Sequence, residues 1–509
     1  MDFDGLSLQM PPALKPYTAL IAILILLAYR FASKSKEGKS LIPNFVPGKS
    51  AAGNLKKRWL YDSPSLLQEA YNKFYGKPFK IWTTEGDQVV IPPDYVDELK
   101  MLPDNKFPSA LRNFFLQDYL WPIDSSKLDF GHVVMKNDLN KNMGSIFPDM
   151  KNEVDSVIPL EFPGSKEWEP IQVYPKVLRC VARVNAKIFV GSHLHLNQEW
   201  IEITCSYVRN IFLSSAKLRF FPAWLRPIVQ YFVPELRAVW RCNSRARDLV
   251  APILREREIQ EERAGYTKPN DSIEWLRDLV PEPDRRDAHF HGISQLGISA
   301  VSVNTTSQLI TNAIFNLCTW PGYIPVLREE IESVLKDYGG EWTLESMGKL
   351  QKLDSFLKET LRHSGHLTAT FQRKALQPIT LSDGTQIPAG TMTFSPANAV
   401  NFDPDIYPDP KTFDGLRFFK FRQASESDSN RHQLTSITKT QLQFGSGRHA
   451  CPGRWFAAHQ NKLVVAALIQ HYDIKFKEGK GRPKGILFQT NQFPDPKAEV
   501  LFRTRNVEA

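Results

Sequence analysis

The sequence predicts a mainly helical protein with a few small β-sheets, folded as one large domain. Apolar residues recur at helical spacing over long stretches, as in "YIPVLREEIESVLKDYG". Strand signals are short and local: "PITLSDGTQIPAGTMTF" surrounds an Asp383-Gly384 turn, and "GKPFKIWTTEGDQVVIPP" is a second candidate hairpin. Neither an internal repeat nor a second linker rich in glycine and serine follows Asn44, which favours a single domain over 49–509.

The first 48 residues predict a membrane anchor and a tether. An apolar run from Tyr17 to Tyr29 lies within a segment, 11–32, that is long enough to span a bilayer if charged side chains near its ends snorkel. Lysines and arginine follow the run, so the main body is expected on the cytoplasmic side, at the endoplasmic reticulum membrane. We assign 1–35 to the anchor and the proline-containing stretch 36–48 to the tether. A buried core helix is the alternative for the apolar run.

Composition and charge exclude several classes of protein. The chain has 509 residues, of which 42% are hydrophobic and 23% charged, and this is typical of a globular protein with a substantial core. Its net charge of +9 suits an anionic membrane or an acidic protein partner. A basic stripe interleaved with aromatic residues is missing from the sequence, so nucleic acid is not an expected partner. The five cysteines are odd in number and form no C-x-x-C pair, which argues against disulfides and zinc and for a reducing compartment.

One cysteine, Cys451, lies in an unusual setting, the stretch "FGSGRHACPGRWFA". Glycines precede it, Pro452 follows it, and a helical pattern begins directly afterwards. The positive end of a helix dipole lowers the pKa of a nearby thiol, so we expect a stabilised thiolate here. Such a thiolate serves either as a nucleophile or as a metal ligand. His449, two residues away, is badly placed to form a catalytic pair with it, which leaves ligation of haem iron as the other option.

The residues of this loop carry a family resemblance. Phe444, Gly447, His449, Cys451 and Gly453 match the pattern F-x-x-G-x-[RH]-x-C-x-G, which resembles the haem-binding signature of the cytochrome P-450 monooxygenases. The resemblance implies a cytochrome P-450 fold and haem, iron protoporphyrin IX, with the Cys451 thiolate as axial ligand. A simple helix-capping loop is the alternative explanation.

Two further motifs occur in the order of that family. "KETLRHS" supplies Glu359 and Arg362, one helical turn apart, and "FDGLRF" supplies Arg417. By resemblance, the three form a buried structural network behind the haem. Without the resemblance, Glu359 and Arg362 would be taken for an ordinary solvated ion pair.

The long helix "GISQLGISAVSVNTTSQLITNAIFNLC" contains a belt of polar residues. Its "SVNTT" segment occupies the place of the family pattern A-G-x-[DE]-T-T, so Thr305 resembles the threonine that helps deliver protons during oxygen activation. Asn304 stands where the family usually has a carboxylate, and Ser302 where it often has glycine. An amide orients water but is not an acid, which puts the usual proton route in doubt. The alternative is that these hydroxyls only bond back to the preceding helical turn.

The resemblance also implies residues that bind the haem propionates. His449 resembles the basic residue of the loop, and Arg373, in "TATFQRKAL", matches a second partner on a strand. For the family's early W-x-x-x-R motif the chain offers only His132 and Lys136 at that spacing. Lys136 is the remaining candidate for the cofactor, with a solvated helix face as its alternative.

The resemblance implies a monooxygenase that inserts one oxygen atom of O2 into a substrate, with electrons from NADPH through a reductase. Segments expected near the substrate, such as "NKFPSALRNFFLQDYL" and "LFQTNQF", are apolar and aromatic, which suits a bulky hydrophobic molecule. The chain looks like the fungal branch that includes ent-kaurene oxidase and oxidases of indole-diterpene and meroterpenoid pathways, so a terpenoid of a secondary pathway is expected. We expect a monomer. A haem-thiolate isomerase or dehydratase and a non-oxygenating carrier or sensor are the alternatives.

Overall fold

The computed structural model describes residues 42–47, 55–121, 125–162 and 164–505, and they are mostly helical. The α-helices are α1 Leu55–Tyr61, α2 Ser63–Lys73, α3 Val96–Leu99, α4 Leu111–Phe115, α5 Gln117–Leu120, α6 Ser125–Val134, α7 Met143–Glu161, α8 Val173–Phe189, α9 Gln198–Arg219, α10 Arg226–Val229, α11 Pro234–Glu261, α12 Ser272–Leu279, α13 Glu282–Arg285, α14 Ala288–Thr319, α15 Tyr323–Asp337, α16 Leu344–Lys349, α17 Gln351–His363, α18 Ala397–Asn401, α19 Arg417–Gln423 and α20 Arg454–His471.

The strands are short and form four small sheets. They are β1 Phe79–Thr83, β2 Gly86–Val90, β3 Glu169–Gln172, β4 Thr370–Lys374, β5 Ile379–Thr380, β6 Gln386–Ile387, β7 Met392–Ser395, β8 Tyr472–Lys475, β9 Ile486–Phe488, β10 Asn491–Phe493 and β11 Glu499–Thr504. The largest sheet has the order β1-β2-β7-β4, and only its β2–β7 pair is parallel. A second has the order β3-β11-β8, and the other two are the pairs β9–β10 and β5–β6.

Both hairpins that the sequence predicts are present. In the first, β1 pairs with β2 in antiparallel register, with Thr83 opposite Gly86. In the second, Ile379 pairs with Ile387, and Gly384 in the connecting turn has a φ of 85°, which L-residues adopt only at a cost. These elements confirm the predicted fold class, mainly helical with small sheets.

Four long helices, α7, α8, α14 and α20, pack together in the core. The central helix α14 packs on α8 and α20, and α7 packs on α8 and α20 in turn. Their buried faces share one large hydrophobic core. The sequence produces such a face on α8 because Val177, Val181, Val184 and Ile188, which are buried, recur at helical spacing. Asp287 begins α14, where its carboxylate accepts hydrogen bonds from the amides of His289 and Phe290.

All five cysteines lie in the described residues, and each has a free thiol. Burial raises the pKa of Cys205 and of Cys318 to about 12, so these thiols stay protonated and serve as small apolar side chains. The predicted anchor 1–35 and most of the tether 36–48 lie outside the described residues. Within the ranges that the structure describes, none of the helices combines the length and apolar character needed to cross a bilayer.

Candidate functional site

The loop that carries Cys451 is held by its own backbone. The Gly445 amide donates to the Leu442 carbonyl at 2.9 Å, and the Cys451 amide donates to the Phe444 carbonyl at 2.7 Å. The Phe444 ring packs against the large hydrophobic core. Helix α20 then begins at Arg454, three residues after the cysteine. The loop therefore presents the Cys451 side chain at a fixed point just before a helix start.

Gly447 fixes this loop to a distant part of the chain. Its φ is +61°, and a Cβ atom there would lie 2.1 Å from the carbonyl oxygen of Lys100. The next amide, of Arg448, donates to that same carbonyl at 3.2 Å. Gly453 differs, because a Cβ atom there would meet no heavy atom within 4 Å. Close approach of two backbone segments therefore requires glycine at 447 but not at 453.

The expectation of a lowered thiol pKa at Cys451 is wrong. Burial raises the pKa of this thiol, and the Gly453 amide and the Arg454 charge lower it by less. Desolvation of the thiolate is the largest of these effects, and the expected contribution of a helix dipole falls off within one turn. The protein surroundings alone thus favour the neutral thiol, and a bound metal ion would be needed to hold it deprotonated.

The structure places Glu359, Arg362 and Arg417 in one buried network. The Arg362 guanidinium donates two hydrogen bonds to the Glu359 carboxylate, both at 2.7 Å, in the bidentate geometry. Arg417 Nε donates to the same carboxylate at 3.2 Å. Arg362 also donates to the carbonyls of Asn401 and Pro410 at 2.6 and 2.9 Å. The charges are therefore paired and their remaining donors are satisfied, as burial requires.

Two residues that sequence reasoning missed join this network to the cysteine loop. The Asn401 amide donates to the Arg362 carbonyl at 3.0 Å, and its oxygen accepts from Gln443 Nε2 at 2.9 Å. Gln443 immediately precedes Phe444, the first residue of the loop. These hydrogen bonds thus connect the network to the residue before the loop. No local pattern marks Asn401, because its partners lie about 40 residues away on either side.

Basic side chains converge beside the loop. Arg373 on β4 is buried, and its guanidinium donates to the carbonyls of Gln372 and Ser446 at 2.8 and 3.3 Å. Burial lowers its pKa to about 10 and the Asp104 charge opposes this by raising it, although the guanidinium forms no ion pair within 4 Å among the described residues. His449 Nε2 lies 2.7 Å from Asp104 Oδ1. Burial, then the Arg373 charge, lowers the pKa of His449, Asp104 opposes this by raising it, and His132 has a smaller lowering effect.

This cluster fits the carboxylate groups of a cofactor. A buried arginine without a carboxylate partner is costly unless an anion binds it, and Arg373, His449 and His132 are close enough to interact. Within the described residues no contact joins Lys136 to this cluster. It lies on an exposed face of the π-helical turn Met135–Leu139, and within the described residues its ammonium makes neither a hydrogen bond nor an ion pair.

The polar belt of α14 divides between two faces. Ile298, Val301, Ser302 and Thr305 are partly or wholly exposed although the helix is central, and we call them the open face of α14. Thr305 Oγ1 donates to the Val301 carbonyl at 3.0 Å. This is the bond to the preceding helical turn that we gave as the alternative to a role in proton delivery. Asn304 is buried away from this face, with its Oδ1 3.4 Å from the Tyr174 hydroxyl.

Comparisons with known proteins match most of the chain. The Cytochrome P450 family profile matches residues 46–500. The chain is 36% identical over 454 residues to cytochrome P450 monooxygenase braC of Annulohypoxylon truncatum, which covers 88% of this chain and 90% of that protein. It is 33% identical over 465 residues to ent-kaurene oxidase P450-4 of Gibberella fujikuroi, which covers 89% and 90% respectively.

A solved structure shows the same fold. Retinoic acid-bound cyanobacterial CYP120A1 superimposes with a TM-score of 0.68 at 16% identity, covering 92% of this chain and all of that chain. At that identity the likeness concerns the fold.

Proposed function

The chain belongs to the cytochrome P450 monooxygenase family, and on that basis we propose that Cys451 is the axial thiolate ligand of its haem. The observation that supports the proposal is that the loop before α20 carries both Cys451 and His449, and that Arg373 donates a hydrogen bond to the Ser446 carbonyl of the same loop. When bound, haem supplies the chemistry that inserts one atom of O2 into the substrate while the other leaves as water.

The side chains around this position have separate roles in the proposal. Arg373 and His449 bind the two propionates, with His132 as a further contributor. Glu359, Arg362 and Arg417 hold the loop through Asn401 and Gln443. Thr305 holds a proton donor at the open face of α14. These residues bind, orient and exclude water, which is the part of the reaction that the protein contributes.

Substitution of the cysteine tests the assignment. The reduced carbon monoxide complex of the wild type should show the red-shifted Soret band of thiolate ligation. Cys451→Ala should lose that band. Cys318→Ala is the matched control, since Cys318 is a partly buried thiol on α14 and should keep the band. Retention of the band in Cys451→Ala would exclude Cys451 as the ligand.

For the substrate, we propose a bulky, mostly hydrocarbon molecule of the terpenoid class. Three aromatic rings support it: Phe115 on α4 packs edge-on against Phe212 on α9 at 5.6 Å, and Phe212 against Phe493 on β10 at 5.3 Å. Three segments distant in sequence thus contribute one apolar wall. The similarity to ent-kaurene oxidase supports a terpenoid over other hydrocarbons.

Product analysis by mass spectrometry, with a reductase, NADPH and a panel of terpenoids, tests the substrate class. Conversion of a diterpene hydrocarbon with retained carbon number and added oxygen would support the proposal. Conversion confined to fatty acids or small aromatic compounds would contradict it. The relatives' names as monooxygenases also favour an oxygenase over the isomerase, dehydratase and carrier alternatives.

We further propose that electrons come from an NADPH–cytochrome reductase, and that the protein works as a monomer on the endoplasmic reticulum membrane. The net charge of +9 suits an acidic redox partner. Exposed apolar side chains between α9 and α11 supply a second membrane contact beside the anchor. Trp224, Ile228, Tyr231 and Phe232 are 63, 59, 61 and 74% exposed.

In this arrangement 1–35 is the anchor, 36–48 the tether and 49–509 the cytosolic catalytic domain. Deleting 1–35 should weaken attachment to microsomes without loss of the carbon monoxide band. In the shortened protein, the double variant Trp224→Ser/Phe232→Ser should weaken attachment to microsomes further. Leu160→Ser, at another exposed apolar side chain, is the control and should have no effect. Protection of the catalytic domain from protease inside sealed microsomes would overturn the orientation.

A further inference from the structure

The family's acid position is occupied by an amide that faces away from the open face of α14. Asn304 is 4% exposed, and its side-chain oxygen faces Tyr174 of α8. The hydroxyl of that tyrosine donates its hydrogen to the Asn304 oxygen, and burial keeps it protonated by raising its pKa far above the ordinary value. Asn304 therefore cannot relay a proton to the open face from where it lies. Another group must do so if oxygen is activated there.

Ser302 lies on the open face, and its hydroxyl accepts a hydrogen bond from a buried side chain of a neighbouring helix. Asn185 Nδ2, on α8, donates to Ser302 Oγ at 2.9 Å. Asn185 Oδ1 in turn accepts from Gln460 Nε2, on α20, at 3.0 Å. Asn185 and Gln460 are fully buried. The chain of hydrogen bonds has one direction, because each amide nitrogen is a donor and Ser302 Oγ accepts.

This direction leaves the Ser302 hydrogen available. A serine hydroxyl has one hydrogen to donate and two acceptor positions, and Asn185 fills one acceptor position. No acceptor among the described residues takes the hydrogen. Thr305, the neighbouring hydroxyl, differs because its hydrogen is given to the Val301 carbonyl. On the open face of α14, Ser302 is therefore the hydroxyl that is ready to donate.

Buried polar atoms continue along the same side of the helix. Gln295 and Thr306 are buried, lie close to whole turns from Ser302, and have side-chain polar atoms with no hydrogen-bond partner among the described residues. Buried polar groups are usually satisfied by ordered water when protein partners are missing. Water along this side could supply a proton to the second acceptor position of Ser302.

We propose that Ser302 relays protons to the open face of α14, and that Asn185 and Gln460 are the positioning residues that fix its hydroxyl. Ser302 gives its Oγ proton to a group at the open face and takes a proton from water, so the hydroxyl is regenerated and the net proton comes from solvent. The serine thus compensates for the missing acid at 304. This inference rests on the proposed function, since it assumes oxygen activation at this face.

The test uses the full-length protein in membranes with NADPH, a cytochrome P450 reductase and O2, without added substrate. The quantity measured is the rate of NADPH oxidation that ends in water, after subtraction of superoxide and peroxide. Ser302→Ala should lower this rate roughly tenfold. Loss of a proton-transfer group costs about a hundredfold at the lower end of the usual range, and we expect a smaller loss because water partly replaces the hydroxyl. Ser302→Thr keeps the hydroxyl and should restore it. Ser307→Ala, a buried serine of α14 that does not contact Asn185, is the matched control and should change nothing.

A second readout does not depend on turnover. The ferric protein without substrate should change its low-spin fraction in Ser302→Ala and Asn185→Ala, because the hydrogen bonding at the open face changes, and should not change it in Ser307→Ala. If Ser302→Ala fails to load haem, Ser302→Gly, which introduces the residue that the family often has at this position, replaces it.

The outcomes separate the two proposals. A wild type without the thiolate carbon monoxide band would contradict the proposed function. A haem-loaded Ser302→Ala with the wild-type rate of water formation and low-spin fraction would overturn the relay while leaving the proposed function intact. A normal Ser302→Ala beside a defective Asn185→Ala would overturn it too, since Asn185 would then act only through packing.

Discussion

At the scale of single residues, two glycines of one motif have different physical roles. Gly447 has a φ of +61° and nearly touches the Lys100 carbonyl, whereas a Cβ atom at Gly453 would face open space. Gly447→Ala should destabilise the protein by at least about 1–3 kcal/mol, the usual cost of a strained backbone residue, and should reduce haem loading. Gly453→Ala should retain folding. Thermal unfolding and the carbon monoxide band measure both effects, and equal behaviour of the two variants would refute the distinction.

The hydroxyl of Thr305 gives a second prediction at this scale. Thr305→Ala should still bind haem and fold, because the lost hydrogen bond is only to the carbonyl of Val301, one turn earlier. It should release more peroxide per NADPH than the wild type if the hydroxyl helps to deliver protons.

Asn304→Asp provides the contrast to Thr305→Ala. This side chain is buried beside Tyr174, so a carboxylate there would be desolvated. Asn304→Asp should therefore lower the stability of the protein without a matching gain in the product formed per NADPH consumed. Wild-type coupling in Thr305→Ala would mean that this hydroxyl only packs the helix.

At the scale of elements, the buried carboxylate of Glu359 on α17 binds Arg417, the first residue of α19. Glu359 is the only acid paired with Arg362 and Arg417 among the described residues. Glu359→Ala would leave two buried guanidinium groups without a counter-charge, at a cost of roughly 3–5 kcal/mol. We expect little haem-loaded protein from this variant. Glu478→Ala, at an exposed glutamate, should yield as much as the wild type, and an active, haem-replete Glu359→Ala would contradict the structural role.

At the scale of the whole molecule, buried histidines predict a loss of stability in acid. Burial lowers the pKa of His291 and of His459 to about 4. The unfolded chain takes up these protons near pH 6.5 but the folded protein only near 4, so stability is highest above 6.5 and falls as the pH drops towards 4. Each histidine contributes at most roughly 3 kcal/mol to this fall.

Melting temperatures measured between these pH values test the prediction. The nearby charges act in both directions, since Arg277 and Lys462 lower the two pKa values while Asp287 and Asp354 raise them. His459→Phe should flatten the pH dependence because its ring already packs edge-on against Phe147 at 5.9 Å. An unchanged slope in His459→Phe would show that this histidine takes up its proton over the same pH range in the folded and unfolded protein.

The sequence by itself determined the fold class, the hairpins, the long central helix and the loop around Cys451. These features depend on interactions between residues close together in the chain: apolar periodicity, the Asp383-Gly384 turn, and glycines before a helix start. The bidentate contact of Glu359 with Arg362 is also local, because the two lie one helical turn apart.

Only the tertiary structure decided how these features are completed. Burial reversed the expected pKa shift of Cys451, and packing brought His132 close enough to His449 to change its pKa. Asn185 contacts Ser302 across 117 residues and Gln460 across 275. No sequence pattern encodes these partners, because which polar groups meet inside the molecule depends on how four helices pack, and that packing is specified by the whole chain.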